Sequence, residues 1–170
     1  MSFNIQEEQI FMHQKPVIWL NDFQLTADTL KMQLRDNILQ WATFNKNAFI
    51  ASKVDSAAYN QISGEDMKAF FDENEITNIE VKGNGETLYY MMDGDNKTPE
   101  AVNEIICSNM NILISKRKID QISFYEKPDA VLRPLAPSES LPPVLKGFRW
   151  ISSSDCLNKI ETAVGKKTPF

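Results

Sequence analysis

Two side chains on which much enzyme chemistry depends are nearly missing from this sequence. It has one histidine, His13, and two cysteines in 170 residues. Zinc hydrolases, histidine-rich jelly-roll oxygenases and serine or cysteine triads all require at least one well-placed imidazole. Nothing near His13 makes a metal-ligand set. Two cysteines are too few for a disulfide framework, and Cys107 falls at a position where small core residues recur. With six glycines, no phosphate-cradling loop can be found. Basic charge is short as well: 18 lysines and arginines face 23 acids, a net charge of −5 and the wrong sign for gripping nucleic acid. No apolar run approaches the ~20 residues of a membrane helix. The segment Met1 to Glu8 lacks the basic and apolar regions of a signal peptide. That leaves a cytoplasmic chain or the trimmed form of an exported one.

The acidic groups that are present do not converge on chemistry. The stretch from Asp93 to Glu104 has the spacing of a calcium loop, but Lys97 stands where a ligand belongs and Thr98 where the turn glycine belongs. It reads as an acidic loop between strands. Glu7 and Glu8, and Glu73 and Glu75, fall at the terminus and in a polar turn, where solvated surface is the default. The expectation is a protein with no catalytic group, no bound metal and no cofactor.

What the sequence does have is repetition. Three segments align: Gln24 to Leu34, Gln61 to Phe71 and Glu104 to Ile114. In each, an aliphatic residue (Leu25, Ile62, Ile105) precedes a small one (Ala27, Gly64, Cys107) by two places. Leu30, Met67 or Met110 follows three places later, and apolar residues then alternate to Leu34, Phe71 and Ile114. Alternation at period two marks a half-buried strand. Polar turns come next, at Arg35 to Asn37, Asp72 to Glu75 and Ser115 to Lys118, each followed by a second alternating run. That run carries Ile76, Ile79 and Val81 in the second unit and Ile119, Ile122 and Phe124 in the third. Taking the first turn as one residue shorter, Ile38, Trp41 and Thr43 fill the matching places. Each unit is an antiparallel hairpin (residues 24–44, 61–82 and 104–125).

The apolar phase slips by one residue in every unit, at Asp28–Thr29, Glu65–Asp66 and Ser108–Asn109. A slip reverses the faces unless the strand bulges, so a bulge or corner is expected at each site, curling the sheet until two layers face each other. Val17 to Leu20 and Thr87 to Met91 add further strands. Arg133 to Pro143 holds four of the eight prolines and should pass along the surface as an extended arm. Ser154 can cap a short helix with Leu157, Ile160 and Val164 on one face and Gly165 as its stop. The fold class is therefore all-β, a curved antiparallel jelly roll or open two-layer sheet of repeated hairpins over residues 1–150, with a C-terminal helix and tail at 151–170.

Leu25, Leu30, Met32, Leu34, Trp41, Met67, Phe71, Ile79, Val81, Met110, Ile112, Ile114, Ile122 and Phe124 are placed between the layers. They form either a closed core, each contributing ~1.5–3 kcal/mol on burial, or the lining of a groove that admits a guest. Methionine suits the second use because it deforms around varied shapes.

Several stretches carry a resemblance. Lys15 to Leu20, Gln24 to Leu30, Ile62 to Tyr90, Cys107 to Ile112, Ile119 to Phe124, Lys127 to Asp129 and Gly147 to Trp150 look like the OstA/LptA-type lipopolysaccharide transport proteins, over residues 10–150. The resemblance implies an open jelly roll in the periplasm that holds acyl chains in its apolar interior. It implies lipopolysaccharide or a related lipid as partner, and other domains of the kind, copies of this chain included, stacked through edge strands; nucleic acid is not a partner. Two rivals are a spacer or partner-docking domain with a closed core, and a carbohydrate-binding module using Tyr89, Tyr90 and Trp150 as platforms.

Overall fold

A computed structural model of the chain describes residues 1–152 apart from 5, 21, 74, 95–97, 117 and 136–142. The helix expected from Ser154 to Gly165 lies outside the described residues, as does most of the proline arm. Eleven strands form one antiparallel sheet. They are β1 (Ser2–Asn4), β2 (Gln9–Met12), β3 (Val17–Leu20), β4 (Phe23–Thr26), β5 (Thr29–Arg35), β6 (Ile38–Lys53), β7 (Tyr59–Asp72), β8 (Glu75–Met92), β9 (Pro99–Ser115), β10 (Lys118–Tyr125) and β11 (Asp129–Pro134). Among the described residues there is no helix, and so none long and apolar enough to cross a membrane.

The four long strands, β6 to β9, each run through two layers. Pairing shifts at Asn45/Ala48 on β6, at Ser63/Asp66 on β7 and at Lys82/Gly85 on β8, the last opposite Ser108 on β9. These breaks lie at the slip sites expected from the sequence. At the break, alternate strands carry two consecutive residues of positive φ: Gln14 and Lys15, Lys46 and Asn47, Gly83 and Asn84, Glu126 and Lys127. Left-handed backbone is costly for non-glycine residues, and side chains from the slip positions hold it in place. The Asp66 carboxylate accepts from the Lys46 N–H at 3.0 Å. Asp28 accepts from the Asn47 amide at 3.0 Å, and Asn109 accepts from the Gly83 N–H at 3.3 Å.

The small positions of the repeat lie just beside this line. Ala48 pairs with Gly64 and Gly85 with Cys107, while Ala27 follows β4. A Cβ on Gly64 would run into Val81 Cγ1, and one on Gly85 would lie 2.6 Å from Met110 Cε. The two layers approach closely here, and only small residues fit the inside of the bend.

One layer holds β1, β2, β5, β10 and the turn-side halves of β6 to β9. The other holds β3, β4, β11 and the remaining halves. In the first layer the three hairpins have one geometry. Arg35 pairs with Ile38, Asp72 with Glu75 and Ser115 with Lys118, so two residues separate the strands in every unit. Asp36 and Asn37, with φ of 52° and 63°, have the left-handed backbone that a tight hairpin turn requires. An extra residue then bulges from the returning strand: Gln40, Thr77 or Asp120. The first turn is thus no shorter than the others. Leu39, Ala42 and Phe44 fill the places of Ile76, Ile79 and Val81, where Ile38, Trp41 and Thr43 were expected.

The sheet is open. β1 and β3 end it on one side, β10 and β11 on the other. β11 ends in Pro134 and pairs only with β9, consistent with proline at an edge. After the undescribed 136–142, residues 143–152 lie as a strap across the outer face of the second layer, with a tight turn at Lys146 and Gly147. Two buried glutamines pin it. The Gln61 side chain accepts from Leu145 N–H at 2.8 Å and donates to Pro143 C=O at 3.5 Å. Gln24 accepts from Ile151 N–H at 2.8 Å and donates to Arg149 C=O at 2.6 Å.

Candidate functional site

Cross-strand pairing builds the interior from continuous apolar rows. One runs Ile10, Met32, Ala42, Ala69, Ile79, Ile112, Ile122, and the next Met12, Leu30, Phe44, Met67, Val81, Met110, Phe124. Facing them, the second layer supplies Ile18, Leu25, Ile50, Ile62, Thr87, Ile105 and Ala130. Of the residues placed between the layers, nine belong to one buried cluster: Leu25, Leu30, Met67, Phe71, Ile79, Val81, Met110, Ile112 and Ile114. Met32, Ile122 and Phe124 pack against it half-buried. Leu34 is half-buried at the hairpin end, paired with Leu39.

Trp41 is a correction. The bulge at Gln40 shifts the returning strand by one place, so Trp41 faces outward, level with Asn78 and Gln121, while Ala42 turns in. The interior also takes residues not assigned to it from the sequence, chiefly Phe44, Ala42, Ala69, Phe23 and Ile50. Their signal was present: alternation through Ala42 and Phe44 is regular once the turn is given two residues.

Burial grades along the rows. Central members are sealed, with Ala69 and Ile112 at 0% exposure and Val81 at 1%. The ends at β2 and β10 lose their cover, and the inward-facing Leu132 on β11 is 57% exposed. At the hairpin end a cavity of ≈ 330 Å³ opens beside Phe23, Ile76 and Ile114, rimmed by Asp72, Glu73, Glu75 and Lys116. The interior is therefore packed at its centre and accessible at two seams and one end.

The outer faces differ. Over the second layer, Phe148 of the strap stacks 5.1 Å from Tyr59 and 6.1 Å from Phe49, and Trp150 lies 4.9 Å from Tyr59. A satellite cluster of Ala58, Leu88, Tyr90 and Val102 takes Val54, Leu135 and Leu145 against it. Tyr90 is buried and Trp150 is committed to Tyr59, while Tyr89 pairs with Asn103 on the inward side. The expected trio of aromatic platforms does not form a surface. The first layer's outer face instead carries Phe11, Trp41 and Phe70, with Lys31 and Lys68 over their rings.

A wider cleft of ≈ 860 Å³ follows the outside of the bend, where Lys15, Lys46, Lys146 and Arg149 mingle with Asp28, Glu65 and Glu86. No group of three metal-binding side chains occurs among the described residues. Burial pushes the Cys107 thiol up from its ordinary value, outweighing a backbone hydrogen bond at Tyr125. A raised thiol gives little thiolate, in keeping with a buried side chain that fills a small position of the repeat. Asp55 is held low by the N–H groups of Ala57 and Ala58, each at 2.7 Å, which close the turn between β6 and β7.

No family model and no curated protein matches the sequence. Among solved structures, the fold matches the crystal structure of LptH, the LptA-homologous periplasmic component of the conserved lipopolysaccharide transport device from Pseudomonas aeruginosa. The TM-score is 0.56 and the identity 12%, over 78% of this chain and 90% of that one. At that identity the likeness is one of fold: this chain has the LptA-type architecture, an all-β antiparallel sheet folded over on itself and left open.

Proposed function

We propose that the chain is a non-enzymatic domain that binds lipopolysaccharide or a related lipid in the periplasm, as one link of a bridge to the outer membrane. The observation that carries this reading is the set of apolar rows that run the full width of the sheet and lose their cover at its edges. A closed sandwich would seal those ends. Acyl chains suit such a lining, because each buried methylene is worth ~0.8 kcal/mol and asks for no directional contact. The shared fold with a lipopolysaccharide transport component supports the same assignment. The edges supply the second half of the proposal. β1 and β3 on one side, and β10 and β11 on the other, offer backbone groups to a neighbouring domain of the kind. Docked edge to edge, the inner rows of two domains would join into one gutter.

The sealed centre favours a second reading, a spacer with a dry core. Under the lipid reading, acyl chains enter at the seams and the layers part to receive them, so some cohesion of the core is given up on binding.

Titration with lipopolysaccharide, followed by tryptophan emission, separates the two. The control is a Met32→Asp/Phe124→Asp variant, at half-buried seam positions that tolerate charge better than the sealed Met67. Saturable binding lost in a folded variant supports the groove; equal binding by both, or none by the wild type, overturns it.

A further inference from the structure

The outer face of the first layer is organised around two ammonium groups. Its central rows run Gln9, Gln33, Trp41, Phe70, Asn78, Leu113, Gln121 and Phe11, Lys31, Thr43, Lys68, Glu80, Asn111, Ser123. Lys31 Nζ sits 5.4 Å from the Phe11 ring and 5.6 Å from Trp41. Lys68 Nζ sits 5.0 Å from Trp41 and 4.8 Å from Phe70. Trp41 is thus shared between two lysines that flank Thr43. Such contacts hold a lysine by its ring while leaving its remaining N–H donors in water. Neither lysine makes an ion pair among the described residues. Of the nearby acids, Glu80 stands directly across from Lys68 and lies 4.0 Å from Lys82 at the surface, and Asp66 accepts from the Lys46 backbone N–H. Around this pair the face is set with amides and hydroxyls, the groups that match sugar hydroxyls, and it is not covered by the strap.

We propose that this face is a binding site for a phosphate-bearing saccharide. The phosphate lies between Lys31 and Lys68, and the sugar rings lie along the amide rows beside Trp41. Two ammoniums already positioned by aromatic rings lose little freedom on binding, and a dianionic phosphate satisfies both. The proposal builds on the lipid-transport reading, since it gives the polar end of an amphiphile a seat outside the apolar interior.

The test uses the full chain with Trp19→Phe and Trp150→Phe, which leaves Trp41 as the reporter. The probes are the phosphorylated oligosaccharide left when lipopolysaccharide is stripped of its acyl chains, the same oligosaccharide after phosphatase treatment, and inorganic phosphate. Saturable change in Trp41 emission with the first probe is expected. Affinity should fall at least tenfold after phosphatase treatment and in Lys31→Gln/Lys68→Gln, and return in Lys31→Arg/Lys68→Arg. Inorganic phosphate should compete only weakly; competition as strong as the oligosaccharide's would mean a phosphate site without saccharide recognition. No response, or equal affinity for the dephosphorylated probe, overturns the proposal. Acylated lipopolysaccharide is then titrated into the Lys31→Gln/Lys68→Gln and Met32→Asp/Phe124→Asp variants. Loss confined to the second leaves the interior reading standing while this one fails, and loss confined to the first does the reverse.

Discussion

The two outer faces of this folded sheet began from similar sequence and reached different ends. Both alternate polar with apolar residues, and both carry aromatic rings and glutamines. Over the second layer the polar members Gln24 and Gln61 are buried at 1% exposure, because a strap from the far end of the chain lies on them. Over the first layer Gln121 stays in solvent, and the half-buried aromatic rings lie beneath lysine ammonium groups. A strand's own pattern states which side is inward; it does not state whether the other side will be covered. What covers a face comes from elsewhere in the chain.

The comparison is sharpest at two aromatic residues on opposite faces of β6. Phe44→Ala opens a cavity in the sealed interior and should cost about 3–5 kcal/mol, whereas Trp41→Ala removes two lysine–ring contacts worth about 0.5–1 kcal/mol each. Urea unfolding of both variants checks this, and equal losses would return Trp41 to the core.

Next come the glutamines. Gln61→Ala leaves the strap's Leu145 N–H without its acceptor and should cost about 1–3 kcal/mol, while Gln121→Ala on the bare face should fall within about 0.5 kcal/mol of wild type. Because Gln24 and Gln61 hold one strap, their double variant should lose less than the sum of the singles. Hydrogen exchange at the Leu145 and Ile151 amides should quicken in each.

Along the line that joins the layers, Gly64→Ala forces a methyl against Val81 and should cost about 1–3 kcal/mol. Val81→Ala in the same molecule should recover part of that loss, which a purely conformational effect of glycine would not allow.

The smallest effect is expected at Asp55. Its folded value lies below the ordinary ~3.9 of a free aspartate. Its contribution is therefore present above that value and is lost as pH falls through the lower folded one. Asp55→Asn should flatten stability against pH in that acidic window and lower stability slightly near neutrality, where the carboxylate's contribution is fully present.

The sequence was most informative where residues repeat. Three hairpins and the three slip sites could be read from the spacing of Leu25, Ala27 and Leu30 and their counterparts, because a strand's alternation is local; the length of the first turn could not. The misplacement of Trp41 came from a single uncounted residue. A bulge at Gln40 adds no apolar signal of its own, and Ile38, exposed at the turn, imitates the inward Ile76. The strap was illegible for another reason. Gln24 and Arg149 stand 125 positions apart, and nothing in a buried glutamine's neighbours announces a backbone partner at that range. The lysine-capped aromatic face depended on that same register.

The line of small residues and left-handed pairs acts as the spine of a book. Every strand that passes from one layer to the other crosses it, and each is hydrogen-bonded to the next on both sides of the crossing. One strand cannot change its angle alone. If the covers open, all pages turn together.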